Sequence, residues 1–349
     1  MNVLARKEQH TMRTKYLPHS VPALWFGLLV FVFLSVSGES LTEAKPSSQP
    51  SKRKVSWHVH KRVKLLQGTY QLESGKRYAM VGHIVKGRVS VVDLQTGKAT
   101  TKAWGVGQVY IAQQGSYGVV ALTSMRQLLL VSLPSLKVLR RHKVKFYPYG
   151  VSFEVTRSQP ASAPAKKALP RYVVVADQMG GSLLRFDLQT GKIAKKRSFR
   201  WPIRSRWSAT GGVMIPLSGP PLWLHPKTWK PEHTWKLPGV IGDVSIQGNL
   251  LALAYGDSKR QQGALHLYQD LRKQRWRVPT KARPRGVVQV GPHILTLTEK
   301  GWFQVFNKQD GRLLQTQRLS NSGLTLRCGQ ARQCVGLLPL AHTLVILQR

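Results

Sequence analysis

Between Val55 and Arg349 the chain holds no long apolar run at helical spacing. Short apolar or alternating runs of strand length recur instead, separated by Gly, Pro, Asn and Asp, which is the punctuation of an all-β protein. Residues 89–99 read VSVVDLQTGKA and residues 183–194 read LLRFDLQTGKIA, so that DLQTGK occurs twice, at Asp93 and Asp187. QVFNKQDGRL from Gln304 is a looser copy, and LLLVSLPSLKVL, LWLHPKTWKP and LHLYQDLRKQ from Leu128, Leu222 and Leu265 are weaker ones. Each copy has one physical logic. An apolar strand ends, a capping side chain holds the turn, Gly supplies a positive φ, and a basic residue opens the next strand.

Aligned on the capping position, the copies fall at Asp93, Ser132, Asp187, His225, Tyr268 and Asn307, with a last strand near Leu347. The spacing is about 40 residues, the length of a four-stranded propeller blade. The one long gap holds a Pro/Ala-rich insertion, SQPASAPAKKALP, at residues 158–170. The expected fold is therefore an all-β, seven-bladed β-propeller. The final run, LVILQR, takes the place of a third strand, which leaves the last blade without its outer strand. Val55, Trp57 and Val59 alternate with Ser56, His58 and His60. A strand over residues 54–60 is expected to pair with residues 344–347, completing the seventh blade and removing two open sheet edges.

Ahead of that strand, residues 21–36 form an uncharged apolar run, VPALWFGLLVFVFLSV. It is preceded by Arg6, Lys7, Arg13 and Lys15 and followed by Ser37 and Gly38. This is the order of a secretory signal, and the run is short for a membrane span of about 20 residues. Residues 1–38 are expected to be a signal peptide or an uncleaved signal-anchor, residues 39–53 a flexible Ser/Pro/Lys-rich linker, and residues 54–349 the propeller. Either form of signal places the propeller outside the cytoplasm, periplasmic or secreted, with residues 21–36 as the inner-membrane anchor if it is retained. Cys328 and Cys334 are the two cysteines, bracketing CGQARQC. In an oxidising compartment such a pair is expected to form a disulfide across a hairpin.

Charge changes the picture of partners, not of fold. Lys and Arg number 54 against 14 Asp and Glu, a net charge of +40 spread along the chain. That suits either a generally basic surface or attraction to a polyanion.

DLQTGK after an apolar strand, at this period, resembles the exported bacterial propellers built from YVTN- or PQQ-type repeats, within the wider WD40-like class. The Trp that many PQQ-type repeats place after the turn is mostly absent, as is the adjacent Cys pair of quinone-dependent dehydrogenases. The resemblance implies the fold and a non-enzymatic role, and carries over no catalytic residue.

In such a propeller the between-blade loops and the hairpins joining second to third strands share one face. Those segments hold Trp104, Phe146, Tyr147, Tyr149, Arg200, Trp201, Arg204, Arg206, Trp207, Lys281, Arg283 and Arg285. The hairpins add Lys86, Arg88, Arg126, Lys259 and Arg260. Rings interleaved with guanidinium groups suit a protein, an anionic envelope polymer or a membrane surface. The competing reading makes Trp201 and Trp207 blade-packing residues and the cations solvated. A second candidate set, His83, Asp177, Asp243, Asp257 and Glu299, with His342, could hold a divalent metal and serve a lactonase-like hydrolase. No phosphate loop, HExxH or Gly-x-Ser-x-Gly motif is present, so no cofactor is expected. Export argues against nucleic acid as a partner. The reading that results is a non-catalytic extracytoplasmic binding propeller.

Overall fold

The computed structural model describes residues 56–84, 87–154, 169–257, 262–330 and 332–349. These belong to a compact unit spanning Arg53–Arg349. The expected signal, anchor and linker lie outside the described residues, as does most of the Pro/Ala-rich insertion. No helix among the described residues is long and apolar enough to cross a membrane.

Seven four-stranded antiparallel sheets make up the fold. Six of them, blades 1 to 6, are consecutive meanders. Their innermost strands are Thr69–Ser74, Val109–Gln114, Pro148–Phe153, Pro202–Ser208, Val240–Gln247 and Pro284–Val290. Blade 7 takes Thr325–Gln330, Gln333–Leu338 and Thr343–Gln348 from the end of the chain and His58–Lys64 as its outer strand. The outer strand runs antiparallel to Thr343–Gln348, with Val59 opposite Leu347 and Val63 opposite Leu344. Trp57, just ahead of this strand, is buried against Phe303 of blade 6 with ring centroids 6.4 Å apart. The Gln315 side chain accepts from the Trp57 N–H at 2.8 Å and donates to its carbonyl at 2.6 Å.

Blade position explains the hydrophobic pattern. Second and third strands are covered on both sides by neighbouring blades, so they read as continuous apolar runs. Leu128, Leu129, Leu130 and Val131 are all fully buried. Fourth strands face solvent: Ala99–Ala103 is exposed at every residue.

The capping positions end or adjoin third strands as aligned. Asp93 Oδ1 accepts from the N–H groups of Gln95 and Thr96 at 2.9 and 3.1 Å. Asp187 Oδ1 does the same for Gln189 and Thr190 at 2.8 and 3.2 Å. His225 Nδ1 accepts from Lys227 and Thr228 in blade 4. Cys328 and Cys334 form a disulfide between directly opposed residues of the first two strands of blade 7.

Candidate functional site at the channel mouth

Innermost strands surround a central channel, and all begin on the same face, here called the upper face. The DLQTGK turns lie on the lower face. In five of the seven innermost strands the ladder slips just after the start, beside Tyr70, Tyr149, Ile203, Gly242 and Arg285. A bulge re-aims the extra residue away from the ladder, and Tyr70, Ile203 and Arg285 consequently line the channel. Close approach between blades requires Gly242 here, because a Cβ on it would lie 1.8 Å from the Pro284 carbonyl oxygen.

The resulting cavity has a volume of about 790 Å³ and takes lining residues from all seven blades. Tyr70 and Tyr110 form one wall, ring centroids 6.1 Å apart, with Tyr149 4.5 Å behind Tyr110. The opposite wall and base are cationic: Arg204, Arg206, Lys236, Arg283, Arg285 and Arg327 line the cavity, and among the described residues no Asp or Glu does.

Two carboxylates sit behind these cations. Arg206 Nη1 of blade 4 reaches Glu73 Oε1 of blade 1 at 2.7 Å, across the channel. Arg327 Nη1 of blade 7 reaches Asp243 Oδ2 of blade 5 at 2.5 Å, and its Nε lies 3.7 Å from Glu73 Oε2. One ionic network thus spans four blades and forms the channel floor. Asp243 is fully buried. Burial would raise its pKa, but the guanidiniums of Arg327, Arg204 and Arg206 outweigh this and hold the carboxyl below its usual range. Arg204 is also shifted down, which for a guanidinium favours the neutral form. Burial, then crowding by Arg206, Arg327 and Arg285, pushes it down to about 10 despite the attraction of Asp243. Its Nη2 donates to the Gly242 carbonyl.

The sequence candidates divide among three places. Arg204, Arg206, Arg283 and Arg285 line the channel, and Tyr149 backs its aromatic wall. Tyr147, Arg200 and Trp201 lie around the mouth, with Arg126 stacked 4.1 Å from the Tyr147 ring centroid and Arg200 5.1 Å from that of Trp201. Lys281 sits 4.1 Å over Trp302. Trp207, by contrast, is buried within blade 4 against Trp229, its Nε1 donating to Ser205 Oγ at 2.9 Å. It packs the blade because residues alternate along a strand, so that Arg206 faces the channel and Trp207 turns from it. Phe146 is likewise buried, against Phe186, and Trp104 is half-buried against the core shared by blades 1 and 2.

The alternative metal set is not gathered. Among the described residues no three His, Cys, Asp or Glu side chains come together as a metal site. His83 is buried beside Ser90 Oγ and the Gln67 carbonyl. Asp177 caps its own hairpin through the Gly180 N–H at 3.0 Å. Asp243 belongs to the ionic floor, Glu299 is on blade 6, and the Asp257 side chain lies outside the described residues.

No family model matches the chain. No curated protein matches it either. Among solved structures, the β-propeller domain of Myceliophteria thermophila Cps50 (Swd1) superposes with a TM-score of 0.66 at 10% identity, covering 84% of this chain and all of that one. Kuenenia stuttgartiensis hydrazine synthase superposes with a TM-score of 0.66 at 11% identity, covering 83% of this chain and 97% of that one. The likeness is one of fold alone.

Around the propeller mouth lies a feature that alternation and motifs did not reveal. Large exposed apolar residues concentrate on the upper face. Leu66, Val106 and Trp201 occupy between-blade segments there, and Val240 opens the innermost strand of blade 5. Ile84, Met179, Leu217 and Leu340 occupy upper hairpins. Outside this face, among the described residues, only Leu139, Ile193 and Leu313 on fourth strands are comparable. Exposed cations share the face: Arg126, Lys145, Arg200, Lys236 and Lys281.

Proposed function

We propose that this protein is a non-catalytic, extracytoplasmic scaffold that docks a protein or an anionic envelope component on its upper face. The observation that carries the reading is the coincidence of exposed apolar side chains and exposed cations on that one face. An apolar rim favours a partner with surface to bury, and the cations favour one that is acidic. The Cys328–Cys334 disulfide supports export, since such bonds persist in oxidising compartments. The apolar run at residues 21–36 behind a basic flank supports it independently.

Hydrogen exchange on the full chain tests this, with phosphatidylglycerol vesicles and with poly-glutamate as acidic surfaces. Protection of residues 104–108, 178–181, 200–203 and 217–221 at low salt, fading as salt rises, is the expected result. Absence of protection with both, or protection confined to the lower face, removes the proposal.

A further inference from the structure

The cavity above the ionic floor has features that docking at the rim does not use. The Glu73 and Asp243 carboxylates are engaged by Arg206 and Arg327. Arg204 and Arg285, nearer the mouth, have no carboxylate within ion-pair distance among the described residues. Arg204 donates to the Gly242 carbonyl, and the backbone of Arg285 lies against that same glycine, with its Cα 3.3 Å from where a Gly242 Cβ would sit. Guanidinium groups from blades 4 and 6 therefore flank blade 5 with no carboxylate paired to either among the described residues, Asp243 attracting Arg204 only from beyond ion-pair distance. Partly buried like charges repel, and a bound oxyanion relieves that repulsion while offering acceptors that fit guanidinium donors.

The remaining cavity surface selects what the anion is attached to. Across the channel stand Tyr70 and Tyr110, and Ile203, Ile241 and Leu324 add apolar surface. A volume of about 790 Å³ suits a small organic molecule rather than a bare ion, since ligand pockets run from about 300 to 1,000 Å³. We propose that the channel binds a small ligand bearing a phosphate or carboxylate group on an aromatic ring, with the anion between Arg204 and Arg285 and the ring against Tyr70 and Tyr110. Leu217, Lys236 and Val240 are shared by the rim and the cavity mouth, but the anion and ring contacts proposed here lie on other residues and require no macromolecular partner.

Titration calorimetry and thermal melting of the full chain test it, with phenyl phosphate, benzoate, inorganic phosphate and phenol as probes. Phenyl phosphate or benzoate is expected to bind and raise the Tm, because a ligand held only by the folded state must do so; which of the two binds more tightly identifies the anion. Inorganic phosphate is expected to bind more weakly and phenol not at all. Arg285→Gln, which breaks no ion pair among the described residues, is expected to weaken aryl-anion binding about tenfold or more, the scale of one charge-assisted hydrogen bond. Tyr70→Ala is expected to weaken phenyl phosphate while leaving inorganic phosphate unchanged. Lys98→Gln, exposed in a lower-face turn outside both the channel and the rim, serves as the control and is expected to leave aryl-anion binding unchanged. The proposal is overturned if neither aryl anion binds, or if Arg204→Gln and Arg285→Gln both bind as the parent does. Met179→Asp with Leu340→Asp separates the two readings. The double variant is expected to lose rim docking and keep aryl-anion binding, so either property can fail without the other.

Discussion

Arg327 of blade 7 holds the Asp243 carboxylate of blade 5 at 2.5 Å, bypassing the blade between them. In a ring whose apolar contacts join neighbours, this pair and its extension through Glu73 to Arg206 link blades that share no sheet edge. A fully buried carboxylate so placed is stabilised by its partners and expensive to remove.

Asp243→Ala is expected to destabilise the fold by about 3–5 kcal/mol, the scale for stranding a buried charge. Equilibrium urea unfolding reads this. Replacing Asp243 and Arg327 together by Leu is expected to cost less than Asp243→Ala alone, because no charge is then left without its counter-ion. The carboxyl is held below its usual range, so its contribution is present above the unfolded pKa of about 3.9 and lost as pH falls through the lower native value.

His266 predicts a second pH dependence at milder acidity. It is buried between the hydroxyls of Tyr255 at 2.8 Å and Tyr268 at 3.0 Å. Burial, then repulsion by Arg277, lowers its pKa to about 4. The unfolded ring takes up a proton near pH 6.5 and the native one resists. Stability is therefore intact above about pH 6.5 and declines as pH falls towards 4, by up to about 3 kcal/mol. His266→Leu is expected to flatten the stability profile between pH 7 and 4; an unchanged slope would assign the effect to other histidines.

Closure of the ring gives a third prediction. Trp57 is buried against blade 6 although its strand belongs to blade 7. Trp57→Ala is expected to lower stability by about 3–5 kcal/mol, visible as a reduced urea midpoint. Val59→Ala, at a half-buried position of the same strand, is expected to cost distinctly less.

Reduction of the Cys328–Cys334 bond is expected to lower stability by about 2 kcal/mol, as loop-closure entropy gives for so short a loop; the two residues are six apart. Thermal melting with and without dithiothreitol measures it. A Cys328→Ser, Cys334→Ser chain that melts like the oxidised parent would contradict the assigned contribution.

Legibility in the sequence followed the range of each interaction. The turns at Asp93 and Asp187 could be read because cap, positive-φ glycine and strand end lie within five residues of one another. Arg204, Arg206, Arg283 and Arg285 were found because blade period places strand starts on one face. Trp207 was placed on that face by the same period and left it by alternation. Tyr70 and Tyr110 were missed, although aligning the innermost strands at their second residue sets both beside Tyr149 and Arg285. Glu73 and Arg327 carried no local signal, since the blades that join them are far apart in the chain.

The chain by itself determined the repeating four-stranded unit, the number of repeats and the face on which each loop opens, because strand periodicity and turn chemistry act over a few residues. Only the tertiary structure decided which cations are neutralised, which rings are buried and where an anion could sit. Those outcomes depend on distances across the channel, and such distances exist only once seven blades have closed around it.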